Sequence, residues 1–229
     1  MVKHMTMTHF KPRLIVFDLD GTLVDSSPDI AIAINQMLSE LNQATYSEQE
    51  IKQWLGFGAT KLINCALTGE LEPKIEPANL RQAMRLYFNF YSANICVNSQ
   101  LYAGAKEGLE QLKLAGIKLA CVTNKPALLT LPLLTEIGIK DYFQFIASGD
   151  TFQRMKPDPL PLLEAAKAIA VDPEQALMVG DSINDIQAGK NAGFKTAIVP
   201  YGYIGKYSID ELGADYQINT IEHLAKLVC

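Results

Sequence analysis

The chain has 229 residues, 48% of them hydrophobic, and a formal net charge of −5 at pH 7. That length fits one large domain or a core carrying a smaller insertion, and the apolar fraction is ample for a buried core, which excludes a disordered chain. Lysines and arginines are scattered singly along the chain, so neither nucleic acid nor an anionic membrane is an expected partner.

The first ten residues contain no apolar h-region, and no apolar stretch approaches the ~20 residues that span a bilayer. Cys65, Cys96, Cys121 and Cys229 are not at metal-ligand spacings. A soluble, cytoplasmic protein with unpaired thiols is expected. The only histidines are His4 and His9, in a leader predicted to be disordered, and His223, in a predicted C-terminal helix. Histidine triads and histidine-ligated zinc are thereby disfavoured, leaving carboxylates, hydroxyls and lysines to carry any chemistry.

Short apolar runs predict strands at residues 14–17, 117–122, 143–146, 176–179 and 196–199. Near-continuous apolarity over four to six residues suits strands covered on both faces, as in a parallel sheet. Helical patterns fall between them near residues 105–115, 127–138, 159–170 and 183–192, giving the alternation of a doubly wound α/β core. From about residue 28 to 101 the periods are helical and no strand is predicted. Ile30, Ile34, Met37, Leu38 and Leu41 make one apolar face, and Leu80, Met84, Tyr87, Phe88, Tyr91 and Ile95 another. Ser47-Glu48-Gln49-Glu50 has the form of a capping box, and residues 69–77 read as a connection between helices. The expected organisation is an α/β, Rossmann-like parallel sheet core of residues 1–26 plus 103–229, with an all-helical domain of residues 27–102 inserted into it.

Chemistry gathers at the predicted strand ends, where ligands bind in such sheets. The first strand runs into Asp18-Leu19-Asp20-Gly21-Thr22-Leu23; residues two apart on a strand share a face, so Asp18 and Asp20 could share a pocket. An Asp-Gly pair alone would be read as a turn. The strand at 176–179 runs into Gly180-Asp181-Ser182-Ile183-Asn184-Asp185, where Asp181 or Ser182 could equally cap a helix with Asp185 in its first turn. Val122-Thr123-Asn124-Lys125-Pro126 brings a hydroxyl and an amide to another strand end, with Asn124 as a cap the alternative. Lys156-Pro157 sets a lysine before a rigid turn. Several carboxylates at one sheet edge repel each other, and hard oxygen ligands suit Mg²⁺. A carboxylate attacking a phosphate also meets like charge: two unit charges ~4 Å apart cost roughly 4 kcal/mol at an effective dielectric of 20. A divalent cation and a lysine would offset that repulsion.

Together these four segments resemble the motifs of the haloacid dehalogenase superfamily in its phosphatase form, over nearly the whole chain. The resemblance implies Asp18 as nucleophile and Asp20 as general acid/base. Thr123, Asn124 and Lys156 would bind the phosphate, and Asp18, the Asp20 backbone carbonyl and Asp181 would hold Mg²⁺, with Asp185 in an outer position. The helical insertion would be the family's cap, closing over a small phosphorylated metabolite. Trp54-Leu55-Gly56-Phe57-Gly58-Ala59, Tyr102-Ala103-Gly104 and Tyr201-Gly202-Tyr203 are similar to the phosphoglycolate phosphatase branch, in which Gly56 and Gly58 would admit the substrate to the backbone. That branch often has Asn where Phe57 stands. Tyr201-Gly202-Tyr203-Ile204 and Gly213-Ala214-Asp215 also resemble phosphatases acting on N-acetylmuramic acid 6-phosphate, and a phosphosugar mutase shares the first motif. Asp20 argues against a dehalogenase or phosphonate cleavage. A phospho-accepting signalling module, the non-enzyme alternative, lacks a large helical insertion. Monomer and homodimer both remain open.

Overall fold

The computed structural model describes residues 10–229, so His4 and His9 lie outside the described residues. In chain order the elements are β1 (Leu14–Phe17), β2 (Val24–Asp25), α1 (Ser27–Glu40), α2 (Glu48–Lys52), α3 (Ala59–Thr68), α4 (Leu80–Ala93), β3 (Gln100–Leu101), α5 (Ala105–Leu114) and β4 (Lys118–Val122). They continue with α6 (Ala127–Glu136), β5 (Phe145–Ala147), α7 (Leu160–Ile169), β6 (Ala176–Gly180), α8 (Ile183–Asn191), β7 (Lys195–Ile198), α9 (Ile209–Leu212), β8 (Tyr216–Gln217) and α10 (Ile221–Val228).

Six strands form one parallel sheet in the order β5-β4-β1-β6-β7-β8. Both faces are covered, which explains the unbroken apolar runs: Ile15 and Phe17 turn to a cluster with Leu109 and Leu112 of α5 and Leu224 and Val228 of α10. Leu14 and Val16 turn to the opposite cluster with Leu162 and Ala165 of α7 and Ala188 of α8. The fold is the expected α/β, Rossmann-like one. Five sheet strands were predicted and six are present; β8 is a two-residue edge strand, too short to carry a periodic signal.

Helices α1 to α4 bury a further apolar cluster, including Ile34, Met37, Leu38, Ile51, Ile63 and Tyr91, to which Leu129 of α6 and Tyr203 also contribute. The Ser47 capping box is present, with Glu50 Oε2 accepting the Ser47 N–H at 2.7 Å and Ser47 Oγ accepting the Glu50 N–H at 3.3 Å. The apolar face expected on α4 is rotated: Leu80, Ala83, Tyr87 and Tyr91 are buried, while Met84 and Phe88 are half-buried. The strand-free reading of residues 28–101 also needs correction, because Gln100–Leu101 pairs antiparallel with Val24–Asp25. This ribbon joins the two crossings between sheet and helices, and two-residue strands again escape a periodic pattern. Beside it, Asp29 of α1 accepts hydrogen bonds from the backbone N–H groups of Asn98 and Ser99 and from both of their side chains, tying the start of α1 to the segment before β3.

Candidate active site

Parallel register brings the ends of β4, β1 and β6 side by side: Phe17 pairs with Cys121 on one side and Val179 on the other. The next residues along each strand are therefore neighbours at the carboxyl edge. Asp18, Thr123 and Asp181 are all buried there. Asp18, Asp181 and Asp185 each offer a carboxylate oxygen within 4.8 Å of the others.

Among the described residues, Lys156 is the cation that pairs with this cluster. Lys156, 2% exposed, arrives from the segment between β5 and α7. Its Nζ donates to Val122 O at 2.6 Å and Asp185 Oδ1 at 2.7 Å. It also lies 2.9 Å from Asp18 Oδ1, an ion pair whose geometry falls short of a hydrogen bond and leaves that oxygen without one. Burial alone would lower the lysine's pKa, but Asp18 and Asp185 outweigh it and push it up. Burial, opposed by Lys156 and aided by Asp185, pushes the Asp18 carboxyl up to about 7. Burial and then the charges of Asp185 and Asp18 push Asp181 well above the carboxylate range. Three buried carboxylates against one ammonium are short of positive charge, and an all-oxygen donor set of this kind fits a hard divalent cation.

Neighbours hold the cluster in place. Thr22 Oγ1 donates to Asp181 Oδ1 at 2.7 Å, and the Tyr203 N–H donates to Asp181 Oδ2 at 2.6 Å. Gly21 has φ +86°, and a Cβ there would overlap the Asp181 carboxylate, so conformation and space both require glycine. Ser182 and Asp185 do stand at the start of α8, with Asp185 Oδ2 accepting from Ser182 N at 3.0 Å and Ser182 Oγ at 2.6 Å. The helix-capping alternative and the acidic-cluster alternative are thus both realised in one residue.

Asp20 is not part of the trio and has partners of its own. Its two oxygens each lie 3.1 Å from Lys125 Nζ, and Ser26 Oγ donates to Oδ1 at 2.5 Å. Asn124 is not a helix cap, since Pro126 holds that position on α6. Its Nδ2 donates to Gly56 O at 3.0 Å and Lys156 O at 2.9 Å. Asn184 Nδ2 also donates to Gly56 O at 3.0 Å. The 54–58 loop between α2 and α3, with φ +91° at Gly56 and +82° at Gly58, is thereby pinned over the sheet edge.

Asp18, Asp20, Gly56, Gly58, Thr123, Asn124 and Lys125 line a slot of about 40 Å³, room for only a few waters. Apolar side chains of Leu55, Leu62, Tyr87 and Leu129 complete its walls. Phe57 points elsewhere, into a separate cavity of about 570 Å³ with Trp54, Ser182 and Tyr203. Lys125 and Tyr203 carried no sequence-based assignment. Both stood inside singled-out motifs, but neither one's reach toward a distant aspartate is visible in linear spacing.

A profile of the haloacid dehalogenase-like hydrolase family matches residues 15–199. The chain belongs to that family, and within it to the phosphatases, as a phosphoric monoester hydrolase. It is 41% identical over 216 residues to the phosphoglycolate phosphatase of Nitrosospira multiformis, covering 94% of this chain and 95% of that one. To the phosphoglycolate phosphatase of Nitrosococcus oceani it is 40% identical, over 95% and 97% of the two chains. The crystal structure of a predicted phosphoglycolate phosphatase from Haemophilus somnus 129pt superposes with a TM-score of 0.86 at 35% identity, over 97% of this chain and all of that one. Among the described residues no helix is long and apolar enough to cross a membrane.

Proposed function

We propose that the protein is a Mg²⁺-dependent phosphatase acting through an aspartyl-phosphate on Asp18, with 2-phosphoglycolate as its substrate. The observation that carries the mechanism is the convergence of Asp18, Lys156, Asp181 and Asp185 on one sheet edge, with Asp20 alongside. Asp18, Asp181 and the backbone carbonyl of Asp20 would hold Mg²⁺, with Asp185 in an outer position, and the ion would neutralise charge on the transferring phosphoryl group. Asp18 attacks phosphorus, and the bond to the leaving oxygen breaks as the Asp18–phosphorus bond forms. Asp20 gives its proton to that oxygen, then takes one from the water that attacks the aspartyl-phosphate and releases inorganic phosphate. Lys156 neutralises Asp18 and the incoming phosphate. Thr123 contributes its hydroxyl to the phosphate, and Asn124 shapes the cradle by holding the carbonyls of Gly56 and Lys156.

The substrate is inferred from the relatives above, which carry the name of that activity. Residues 27–102 serve as a cap over a core of residues 1–26 plus 103–229. Because the slot admits no substrate as it stands, the cap must lift to load it and close to exclude water. The enzyme works in the cytoplasm, where its four thiols stay reduced.

A phosphate-release panel with phosphoglycolate, N-acetylmuramic acid 6-phosphate, several sugar phosphates and p-nitrophenyl phosphate tests this. Phosphoglycolate is expected to give the highest kcat/KM, with activity lost on adding EDTA and restored by Mg²⁺. Asp18→Asn is expected to abolish turnover. Preference for a sugar phosphate overturns the substrate, and full activity of Asp18→Asn overturns the mechanism.

A further inference from the structure

Lys125 is 6% exposed and sits between the slot and the helical insertion. An ammonium has three N–H groups. Here two meet Asp20 Oδ1 and Oδ2 at 3.1 Å, and the third meets the Tyr91 hydroxyl oxygen at 2.7 Å. The same nitrogen lies 4.5 Å from the centre of the Tyr91 ring. Tyr91 is fully buried on α4, within the insertion, whereas Lys125 belongs to the sheet edge. A continuous chain of contacts therefore runs from a helix of the insertion, through a core lysine, to Asp20.

Two features separate this lysine from a packing residue. Burying an ammonium costs several kcal/mol after relaxation, and the surroundings of Leu55, Leu62, Tyr87 and Leu129 would accept an apolar side chain without that cost. Nor does Lys125 duplicate Lys156, because it makes no ion pair with Asp18, Asp181 or Asp185 among the described residues. Its charge is spent on Asp20. The remaining side-chain contact of Asp20, Ser26 Oγ, reaches Oδ1 alone, so Oδ2 is held by Lys125. A carboxylate gripped at one oxygen can still turn about its Cβ–Cγ bond, and gripped at both it cannot.

We propose that Lys125 is a positioning residue that aims the Asp20 carboxyl at the leaving-group oxygen, and that Tyr91 holds Lys125 in that position when the insertion is seated. This rests on the acid/base role proposed above for Asp20. Proton transfer to a leaving group requires a heavy-atom approach of about 2.6–3.2 Å, and a misplacement of about 1 Å can cost 10²-fold. Loss of the lysine thus acts on the step that needs a proton, not on phosphate binding.

The test reads leaving-group release in a single turnover, with wild-type or variant enzyme in excess and Mg²⁺ present. p-Nitrophenyl phosphate releases a stabilised anion that needs no proton, whereas phosphoglycolate releases an alkoxide that does. If phosphoglycolate is not turned over, the best alkyl phosphate of the panel replaces it. Lys125→Met is expected to slow alcohol release by roughly 10- to 100-fold, within the range general acid catalysis supplies, and at least ten times more than nitrophenolate release. Tyr91→Phe, which keeps the ring and removes the hydroxyl, is expected to show a smaller loss with the same bias. Asp20→Asn serves as the reference. If it lacks the leaving-group bias, the acid/base role itself is wrong and the inference goes with it. If Asp20→Asn shows the bias and Lys125→Met slows both substrates equally, the positioning role alone is overturned. Should Lys125→Met fail to fold, Tyr91→Phe decides: equal losses on the two substrates overturn the inference.

Discussion

Replacing Lys156 with methionine removes the ammonium that pairs with Asp18 and Asp185 in a cluster of three buried carboxylates. The ammonium meets Val122 O at 2.6 Å, Asp185 Oδ1 at 2.7 Å and Asp18 Oδ1 at 2.9 Å. Methionine preserves much of the volume but leaves the carboxylates uncompensated and a carbonyl without its donor. Breaking a buried pair from one side costs about 3–5 kcal/mol, and an orphaned carbonyl adds about 1–3 kcal/mol. Asp18, already pushed up to about 7, limits the loss by taking up a proton near neutrality at little cost. A net loss of about 3 kcal/mol at pH 7 is expected in metal-free buffer. In urea unfolding, with slopes of about 1–3 kcal/mol/M, the midpoint would fall by ~1 M or more. The sign with pH follows from linkage. A carboxyl whose folded pKa is raised from about 4 favours the fold below that value, and the benefit is lost as pH rises through the folded pKa. Lys156 opposes the upward shift of Asp18, so deleting it raises that carboxyl further and the deficit against wild type must widen between pH 5 and 8. A deficit under ~1 kcal/mol, or one that stays flat with pH, refutes Lys156 as the counter-charge of the cluster.

Asp29→Ala should cost about 2–3 kcal/mol, since it orphans the donors of Asn98 and Ser99 that tie the start of α1 to the segment before β3. Burial works against ionisation of Asp29, but the hydrogen bonds from Ser99 and Asn98 prevail and hold its carboxyl below the usual range. Its contribution is present above about pH 4 and fades as pH falls through the folded pKa, so wild type and Asp29→Ala should converge in acid unfolding curves. Gly202→Ala would push a Cβ into the Gly21 carbonyl and Asp181, and should lower kcat and cost about 1–3 kcal/mol in thermal unfolding. Gly108→Ala puts a Cβ against the α10 backbone at Ile221 and Glu222, far from the site. The same loss of about 1–3 kcal/mol is expected there despite the better helix propensity of Ala, with kcat unchanged.

The sheet was legible because its central strands are covered on both faces and therefore apolar throughout, and the strand ends followed from them. That Asp18, Thr123, Asp181 and Lys156 gather at one sheet edge was legible only from the four segments in combination, since each alone reads as a turn, a cap or a surface residue. The ribbon of Val24–Asp25 with Gln100–Leu101 and the edge strand at Tyr216 were not, because two residues make no period. The buried face of α4 was displaced toward Ala83, a small residue that gives little hydrophobic signal. Neither the grip of Lys125 on Asp20 nor that of Asn124 on Gly56 could be read in advance, since each spans more than 60 positions and depends on how the insertion sits.

Tyr203 gives the edge of the sheet a further consequence. Its backbone N–H donates to Asp181, while its hydroxyl accepts from the N–H groups of Ser26 and Ser27 at 3.0 Å and donates to Asp25 at 2.7 Å. One residue therefore touches both the acidic cluster and the point where the chain leaves the core for the helices. If the charge state of Asp181 biases the proposed lifting of the cap, thermodynamic reciprocity requires that lifting to bias Asp181 by the same factor. Opening to load substrate and gathering charge around Asp181 are then two readouts of one equilibrium, joined through a single tyrosine.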